Sequence, residues 1–336
     1  MSETMQAAVI TRYGQAMPLM KTVPVPSLQA TDVLVKIKAV SLNPIDLKTM
    51  AGELKFLLSY RMPLILGSDF AGEVVAVGSQ ITPFKVGDAV YGRPRKSRIG
   101  TFAEYLAVDV ADIALKPQSL TFNEAAALPL VGLTSYQALH DILHVKPGQK
   151  VLIQAGAGGI GTIAIQLAKY LGAQVATTTS PQNFALVRSL GADRVIDYHT
   201  EDFTTVLTDY DAVFDTLGGQ SLAQAFSVVK RGGQVVSISG LPNVRFAKAY
   251  GLPLWKQGVL GVASHRLTRL ERRSGVAYRF LFMAPSGTEL ALLTTLIAAG
   301  QLRPVIDRTF PFSALNQALT YFKQGHARGK IIVEMA

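Results

Sequence analysis

The fold is decided by the stretch Lys150-Val151-Leu152-Ile153-Gln154-Ala155-Gly156-Ala157-Gly158-Gly159-Ile160-Gly161. Its first five residues are typical of a buried strand, and its last six contain the pattern G-x-G-x-x-G. From Ile160 to Leu171, apolar residues recur at helical spacing. A strand, a glycine-rich turn and a helix in this order predict a site for the pyrophosphate of a dinucleotide.

Each glycine of the pattern has an expected task. Gly156 is expected to form the tight turn, Gly158 to let the pyrophosphate approach the backbone, and Gly161 to let the helix pack on its strand. The phosphates are expected at the helix N-terminus, where unpaired N–H groups and the helix dipole favour anions. A glycine-rich turn without a ligand is the alternative. The predicted phosphate site consists of Gly156, Ala157, Gly158, Gly159, Ile160 and Gly161.

The end of the next predicted strand indicates which dinucleotide is bound. NAD sites usually place a carboxylate about 20 residues past the glycines, where it binds the ribose 2′-hydroxyl. Here the strand ends in Thr177-Thr178-Thr179-Ser180, and no acidic residue occurs between Gly156 and Asp193. Because a carboxylate would repel a 2′-phosphate and hydroxyls donate to it, the sequence favours NADPH. Use of both cofactors is the alternative. Further phosphate contacts are expected from Arg188, Arg194 and Tyr198.

Strands and helices alternate after residue 125, which predicts a parallel, doubly wound sheet. The strands are predicted at 150–154, 174–179, 194–197, 211–215, 234–238 and 278–283, and helices at 160–171, 183–190 and 288–299. Before residue 125 the chain is β-rich, with strands predicted at 5–10, 33–40, 72–78, 86–92 and 102–108 and helices only at 53–60 and near Glu124. The tail from Leu302 is expected to rejoin this first module. The predicted domains are 1–125 with 285–336, and 126–284.

Composition sets the remaining limits. A chain of 336 residues exceeds the size of a single hydrophobic core, so two domains are expected. The absence of cysteine excludes disulfides, thiolate metal sites and a thiol nucleophile. The net charge of +10 suits an anionic ligand, a nucleic acid or solubility alone. No basic leader precedes an apolar stretch at the N-terminus, and we predict a cytoplasmic protein without a membrane partner.

Taken together, these features resemble the medium-chain dehydrogenase/reductase superfamily over essentially the whole chain. The motifs that carry the resemblance, besides the glycine pattern, are Asn43-Pro44-Ile45-Asp46, Gly67-Ser68-Asp69-Phe70-Ala71-Gly72-Glu73-Val74, Lys85-Val86-Gly87-Asp88, Gly132-Leu133-Thr134, Leu190-Gly191-Ala192-Asp193 and Gly329-Lys330-Ile331-Ile332-Val333. The resemblance implies an α/β protein with a GroES-like β-rich barrel domain and a doubly wound Rossmann domain. It also implies a homodimer.

Two departures from the zinc enzymes of that superfamily narrow the resemblance. Where the zinc alcohol dehydrogenases carry a cysteine, this chain has Asn43, and where they carry Gly-His-Glu it has Gly67-Ser68-Asp69. A zinc site is therefore not expected, because zinc needs several Cys, His or carboxylate ligands held together. The chain is similar instead to the zinc-independent, NADPH-dependent branch of quinone oxidoreductases and enone (alkenal) reductases. Lys48, in place of a tyrosine found in many quinone reductases, favours the enone subgroup.

Hydride transfer without a metal suits these acceptors. A quinone or an α,β-unsaturated carbonyl compound is already electrophilic, and a hydrogen bond to its oxygen suffices to polarise it. The candidate donors or pocket walls are Asn43, Lys48 and Tyr60, for each of which a structural or surface role is the alternative. The resemblance also implies cofactor contacts from Asn43, Thr134, Thr178, Ser180, Tyr198, Leu217, Gly218, Ser239, Gly240, Leu241, Phe282, Met283 and Lys330.

Other functions remain open alternatives. A non-catalytic protein of the same family would bind NADPH as a structural or assembly factor. An RNA-binding member would use basic residues, of which residues 241–287 contain eight against the single acid Glu271. A second basic group, Arg93, Arg95, Lys96 and Arg98, surrounds Pro94. No aromatic platform accompanies either group, so a nucleic-acid partner is not expected. His140 and His144 are expected to lie on a solvated helix face rather than to bind a metal.

Overall fold

The computed structural model describes residues 3–335 and divides them into two compact units. The first unit comprises the described residues up to Leu133 and those from Ala284 onward, and the second comprises Thr134–Met283. The first boundary between the units lies after Leu133, whereas the sequence predicted it after residue 125, because residues 126–133 pack with the first unit. The Leu130 N–H donates to the Asp69 carboxylate, and Gly132 lies against Leu293.

The strands are numbered in chain order. They are β1 (Thr4–Ile10), β2 (Leu19–Pro24), β3 (Asp32–Ser41), β4 (Leu64–Ile65), β5 (Asp69–Val77), β6 (Ala89–Gly92), β7 (Tyr105–Asp109), β8 (Ile113–Leu115), β9 (Lys150–Ile153), β10 (Gln174–Thr179), β11 (Arg194–Asp197), β12 (Tyr210–Asp215), β13 (Val229–Ser237), β14 (Ala277–Phe280), β15 (Ile306–Pro311) and β16 (Lys330–Glu334).

The α-helices are α1 (Pro44–Ala51), α2 (Phe122–Ala126), α3 (Pro129–Tyr136), α4 (Gly159–Tyr170), α5 (Phe184–Ser189), α6 (Phe203–Val206), α7 (Gly219–Val228), α8 (Val244–Ala249), α9 (Leu254–Ala263), α10 (His265–Ser274), α11 (Gly287–Ala298) and α12 (Leu315–Lys323). A π-helix, Gln137–Ile142, follows α3, and 3-10 turns occur at Lys96–Arg98, Val110–Asp112, Pro181–Asn183 and Phe312–Ala314. None of the helices within residues 3–335 has the length and hydropathy that crossing a bilayer requires.

The first unit is β-rich. A seven-stranded sheet has the order β15-β16-β3-β5-β6-β8, with β7 also paired to β3, and a three-stranded sheet has the order β2-β1-β4. β16 pairs with β3 in antiparallel register, Ile332 opposite Ser41, so the tail does rejoin the first module. A core of aliphatic and aromatic side chains that includes Val35, Phe70 and Ile331 lies between these strands and α12.

The second unit contains a six-stranded sheet whose neighbouring strands are all parallel, in the order β11-β10-β9-β12-β13-β14. This order reverses at β9, as in a doubly wound fold. The interior residues of β9 and β12 are fully buried, which is typical of strands covered on both faces. The predicted fold class, a β-rich domain and a Rossmann domain, is confirmed.

Several predicted elements differ from the structure. The helix expected at 53–60 is a run of turns, and the helix lies earlier, at α1, where Pro44 stands at the first position and Gly52 ends the helix with a left-handed φ of 83°. This arrangement follows the preference of proline for helix starts and of glycine for the residue after the end. No helix was expected at α8, α9, α10 or α12, and β6 and β7 begin later than expected.

Candidate active site

The glycine loop follows β9 in the second unit. Its left-handed residue is Ala155, with φ 52°, whereas Gly156 has no positive φ. A Cβ on Gly156 would lie 2.1 Å from the hydroxyl oxygen of Thr177 on the neighbouring strand β10. Gly156 and Ala157 are the central residues of the tight turn, which the Gly158 N–H closes by donating to the Ala155 carbonyl oxygen at 3.0 Å, so Gly156 does lie in the turn as expected. Gly156 is glycine because β10 passes too close for a side chain.

Gly158 and Gly161 differ in their surroundings. A Cβ on Gly161 would lie 2.3 Å from the Ala155 carbonyl oxygen, so Gly161 permits α4 to pack against the turn. A Cβ on Gly158 would meet only that same carbonyl oxygen, at 3.3 Å, and the space beyond is open. Gly158 is the N-cap of α4, and no side chain caps this helix. The first N–H groups of a 12-residue helix are therefore available to an anion.

The end of β10 contains the hydroxyls that the sequence assigns to a 2′-phosphate. Thr178 is buried, and its hydroxyl oxygen accepts from the Ala155 N–H at 3.1 Å, so this side chain holds the glycine loop. The Ser180 hydroxyl accepts from the Asn183 side-chain amide at 3.1 Å, which leaves the Ser180 hydrogen free to donate. Tyr198, after β11, is 59% exposed and lies against the ring of His199.

Strands β12 and β13 present the next group of predicted contacts. The Asp215 carboxylate, fully buried, accepts from the N–H groups of Leu217 (3.1 Å) and Gly218 (2.9 Å) and from the Ser237 hydroxyl. Burial raises the pKa of Asp215. The Ser237 hydroxyl oxygen in turn accepts from the Gly240 N–H at 2.7 Å. The sequence analysis missed Asp215 and Ser237, although a carboxylate between an apolar strand and a Leu-Gly-Gly turn was a usable signal.

These hydrogen bonds place two apolar side chains at the surface. Leu217 and Leu241 are each about half exposed, beyond the ends of β12 and β13. Ser239 donates to the Thr216 carbonyl oxygen at 2.8 Å, and a Cβ on Gly218, whose φ is 73°, would lie 2.5 Å from the Ser239 carbonyl oxygen. Exposed apolar side chains at the carboxyl ends of parallel strands are typical of a ligand-binding edge.

The other predicted contacts of the second unit are mostly enclosed. Thr134 lies buried within α3 and Met283 is buried after β14. Phe282 is half-buried in an aromatic cluster with Phe246 and Tyr250, at ring-centroid distances of 6.4 and 5.8 Å.

The first unit contains a buried polar cluster around Asn43, the N-cap of α1. The Asn43 side-chain amide donates to the Asp69 carboxylate at 2.8 Å and to the Ser41 carbonyl oxygen at 3.3 Å, and its oxygen accepts from the Lys330 ammonium. Lys330 also donates to the Leu42 carbonyl oxygen at 2.9 Å and lies 3.6 Å from Asp69. Asn43 and Lys330, predicted as separate contacts, are thus brought together by one hydrogen bond.

Asp46 completes this cluster. Its carboxylate accepts from the Ser68 hydroxyl at 2.7 Å and from the Asn43 N–H at 2.9 Å. Burial raises the pKa of Asp46 to about 7, despite these two donors. Burial also lowers the pKa of Lys330, although Asp69 and Asp46 oppose that shift. Asn43 and Ser68, which the resemblance sets at zinc-ligand positions, donate to the carboxylates of Asp69 and Asp46 respectively.

The remaining catalytic candidates lie elsewhere on the first unit. Lys48 is exposed in the last turn of α1 and lines a groove of about 570 Å³ with Leu47 and Glu53, so it is not among the residues that form the Asn43 cluster. Tyr60 is half-buried, and its N–H donates to the Tyr13 hydroxyl at 2.7 Å. The structure therefore does not combine Asn43 and Lys48 into one constellation.

His140, His144 and the basic residues around Pro94 have the following surroundings. His140 stacks on Tyr136, whereas His144 has a left-handed φ of 49° beyond the π-helix, so the two do not share the helix face expected for them. Within residues 3–335, no group of three His, Asp or Glu side chains is arranged to hold a metal ion. In the loop around Pro94, Arg95 pairs with Asp112 and Asp109, and Arg98 pairs with Asp32.

Comparison with known proteins gives the family. Residues 29–118 match the family model described as the alcohol dehydrogenase GroES-like domain, and residues 190–333 match the one described as zinc-binding dehydrogenase. The chain is 35% identical to the 2-methylene-furan-3-one reductase of Solanum lycopersicum, over 98% of this chain and 79% of that protein. The chain belongs to the medium-chain dehydrogenase/reductase superfamily.

Two further relatives place this medium-chain dehydrogenase/reductase more narrowly. It is 34% identical to the chloroplastic NADPH-dependent alkenal/one oxidoreductase of Arabidopsis thaliana, over 98% of this chain and 79% of that protein. Its structure matches that of the quinone oxidoreductase from Coxiella burnetii with a TM-score of 0.84 and 34% identity, over 99% of this chain and 100% of the other. The resemblance predicted from the motifs is confirmed, and the superfamily is pyridine-nucleotide-dependent.

Proposed function

We propose that this protein is an NADPH-dependent oxidoreductase that transfers hydride to an activated acceptor, a quinone or an α,β-unsaturated carbonyl compound. The observation that carries the nucleotide assignment is the open space at Gly158 before the uncapped N-terminus of α4. The acceptor class rests on the relatives of 34–35% identity, which are named as reductases of a methylene-furanone and of alkenals and alkenones.

The residues of the second unit fit the proposed cofactor. The N–H groups at the start of α4 would hold the pyrophosphate, with the Gly156–Gly161 loop fixed by Thr177 and Thr178. Ser180 has a free hydroxyl hydrogen for a 2′-phosphate, and no carboxylate stands beside it in the sequence from Gly156 to Asp193. The other proposed cofactor contacts are Ala157, Gly159, Ile160, Tyr198, Leu217, Gly218, Ser239, Gly240 and Leu241, with Asn43, Thr134, Phe282, Met283 and Lys330 toward the nicotinamide.

For this reaction the protein has to bind NADPH and the acceptor and to polarise the acceptor oxygen. When bound, NADPH supplies a hydride, which an enone takes at its β-carbon, together with a proton from water. A hydrogen-bond donor toward the acceptor oxygen then stabilises the charge that develops there. Asn43, Lys48 and Tyr60 remain the proposed donors or pocket walls. Asn43 donates both amide hydrogens, to Asp69 and to Ser41, so it has no free donor for the acceptor oxygen. Its proposed role is to hold Lys330 and the rest of the cluster in place.

We also propose that the reaction needs no zinc. The chain has no cysteine, and Asn43 and Ser68 occupy the positions where the zinc enzymes place ligands. Both side chains are committed to hydrogen bonds with buried carboxylates. A cytoplasmic location and a homodimer stay predictions.

The test follows NADPH oxidation by absorbance with a benzoquinone and a short-chain enone, each repeated with NADH. We expect turnover with NADPH, and preference for the enone follows from Lys48. Preference for the quinone would retain the enzyme class and contradict that subgroup. NADPH binding without reduction of either acceptor would favour the non-catalytic alternative, and absence of binding would contradict the site.

A further inference from the structure

Arg93, directly after β6, is a buried cation whose guanidinium makes few hydrogen bonds. Its side chain is 1% exposed, and its Nε has no hydrogen-bond partner among residues 3–335. The guanidinium makes one hydrogen bond there, from Nη1 to the adjacent Pro94 carbonyl oxygen at 2.5 Å. A buried guanidinium nitrogen without a hydrogen-bond partner is unfavourable, and such groups cluster at functional sites.

The position of Arg93 is fixed by strand register. The β5–β6 ladder pairs Phe70 with Gly92, and the next antiparallel position sets Arg93 opposite Asp69. The β3–β5 ladder pairs Asp69 with Ser41 in turn. Arg93 therefore lies at the same end of the sheet as the polar cluster around Asn43.

The carboxylates around Arg93 are committed to other donors. Asp69 accepts from Ser41, Asn43 and the Leu130 N–H. Asp112 binds Arg95 through both carboxylate oxygens, at 2.9 and 3.2 Å. These carboxylates lie close enough for their charges to favour the charged form of Arg93, but neither Asp69 nor Asp112 accepts a hydrogen bond from its guanidinium in the described chain.

Asp46, the third carboxylate near Arg93, also accepts its hydrogen bonds from other donors. Asp46 accepts from Ser68 and from the Asn43 N–H, and burial raises its pKa to about 7, so part of its charge is lost at neutral pH. Lys96, three residues beyond Arg93, is a second basic group of this loop: burial, and then the charge of Arg93, lower its pKa to about 7. Part of its charge is therefore also lost at neutral pH, whereas the Arg93 guanidinium stays charged.

We propose that Arg93 is a specificity-determining residue that binds a carboxylate of the acceptor. The planar fork of a guanidinium matches the two oxygens of a carboxylate, and the unpartnered Nε is one of the donors that such a pair uses. The substrate class is then an α,β-unsaturated ketone that also bears a carboxylate. This inference rests on the proposed reduction of enones and names the acceptor more closely.

The test compares 6-oxohept-4-enoic acid with its methyl ester; two methylene groups separate the carboxyl group from the enone, so the two compounds have the same enone and differ in the charge. With wild-type protein and NADPH, we expect kcat/KM for the acid to exceed that for the ester by about 10- to 100-fold, the range of a charge-assisted pair. Arg93→Gln removes this preference, and Arg93→Lys retains part of it. Arg12→Gln, an exposed arginine of the same unit, leaves it unchanged.

A binding arm separates this inference from the proposed function. Calorimetry with the saturated analogue 6-oxoheptanoate, with and without NADPH, measures recognition of the carboxylate without turnover. Binding that Arg93→Gln weakens, with neither acceptor reduced, would uphold the inference and contradict the reductase. Equal wild-type activity on acid and ester, or an acid preference that survives Arg93→Gln, would overturn it. If Arg93→Gln does not fold, the wild-type comparison and Arg93→Lys decide.

Discussion

At the scale of single residues, two glycines of one loop are glycine for different reasons. Gly161 has the Ala155 carbonyl oxygen and the Gly156 backbone within 2.6 Å of where its Cβ would stand, so the fold itself excludes a side chain. Gly158 has an ordinary φ of −76° and open space beyond it. A Cβ there would meet only the Ala155 carbonyl oxygen, at 3.3 Å, so the fold opposes a side chain at Gly158 far less than at Gly161.

This difference predicts opposite outcomes for two substitutions. Gly158→Asp places a carboxylate where the pyrophosphate is proposed to bind, so NADPH binding is lost. An aspartate is also a favourable N-cap, so the free energy of unfolding stays equal or rises by up to about 1 kcal/mol. Gly161→Ala lowers it by about 1–3 kcal/mol through overpacking. Calorimetric titration and urea unfolding measure both quantities, and unchanged NADPH affinity in Gly158→Asp would refute the site.

At the scale of elements, the parallel sheet gathers the site. β10, β9, β12 and β13 are neighbours in that order, and parallel strands end at the same edge. The glycine loop, Ser180, the Asp215 turn and Gly240 follow these strand ends. Residues separated by more than 80 positions thus reach one edge without any long-range motif in the sequence.

The end of β10 carries the prediction on cofactor choice. Ser180→Asp adds a carboxylate that repels a 2′-phosphate and accepts from a ribose 2′-hydroxyl. We expect KM for NADPH to rise at least about tenfold and KM for NADH to fall, as for a change of one charged hydrogen bond. Ser227→Asp, at an exposed position of α7, adds the same charge and should change neither. A Ser180→Asp variant that still prefers NADPH would show that other residues decide the choice.

At the scale of the whole molecule, the net charge of +10 includes basic residues that are paired with acids or buried. Arg95 and Arg98 are neutralised by aspartates, and Arg93 is buried, so the loop around Pro94 offers little free charge to a nucleic acid. The buried cluster of the first unit instead couples charge to stability. Asp46 is the group through which this coupling is measurable.

Stability should depend on pH through Asp46. The carboxyl has a reference pKa of 3.8 when unfolded and a pKa of about 7 when folded. Between these values the folded protein holds a proton that the unfolded chain has released, so this group's stabilisation is present below pH 3.8 and is lost as pH rises through about 7. Asp46→Asn removes that dependence while keeping an acceptor for the Asn43 N–H.

The measurement is urea unfolding of both proteins across this pH range. The stability of Asp46→Asn relative to wild type should increase from pH 4 to pH 7 and then level off. Glu53→Gln, an exposed acid of the same unit, should show no such trend. A constant difference between Asp46→Asn and wild type would contradict the raised pKa.

The sequence by itself determined the parallel sheet, the glycine loop and the family. Alternating apolar strands and helical spacing report local geometry, and a glycine pattern between a strand and a helix reports the turn that joins them. The same local signals were misleading between 53 and 60, where Gly52 ends α1 and turns follow. At α10 the sequence does have a strongly amphipathic helical pattern, which was a usable signal.

Only the tertiary structure decided which polar groups act together. Lys330 reaches Asn43 across 287 positions, Asp215 binds the turn that follows it and Ser237, and Thr178 holds Ala155 instead of facing solvent. Within residues 3–335 it also leaves the Nε of the buried Arg93 without a hydrogen-bond partner. Burial, the engagement of each lone pair and the distance between charges arise from packing of distant segments, and a linear pattern contains none of these quantities.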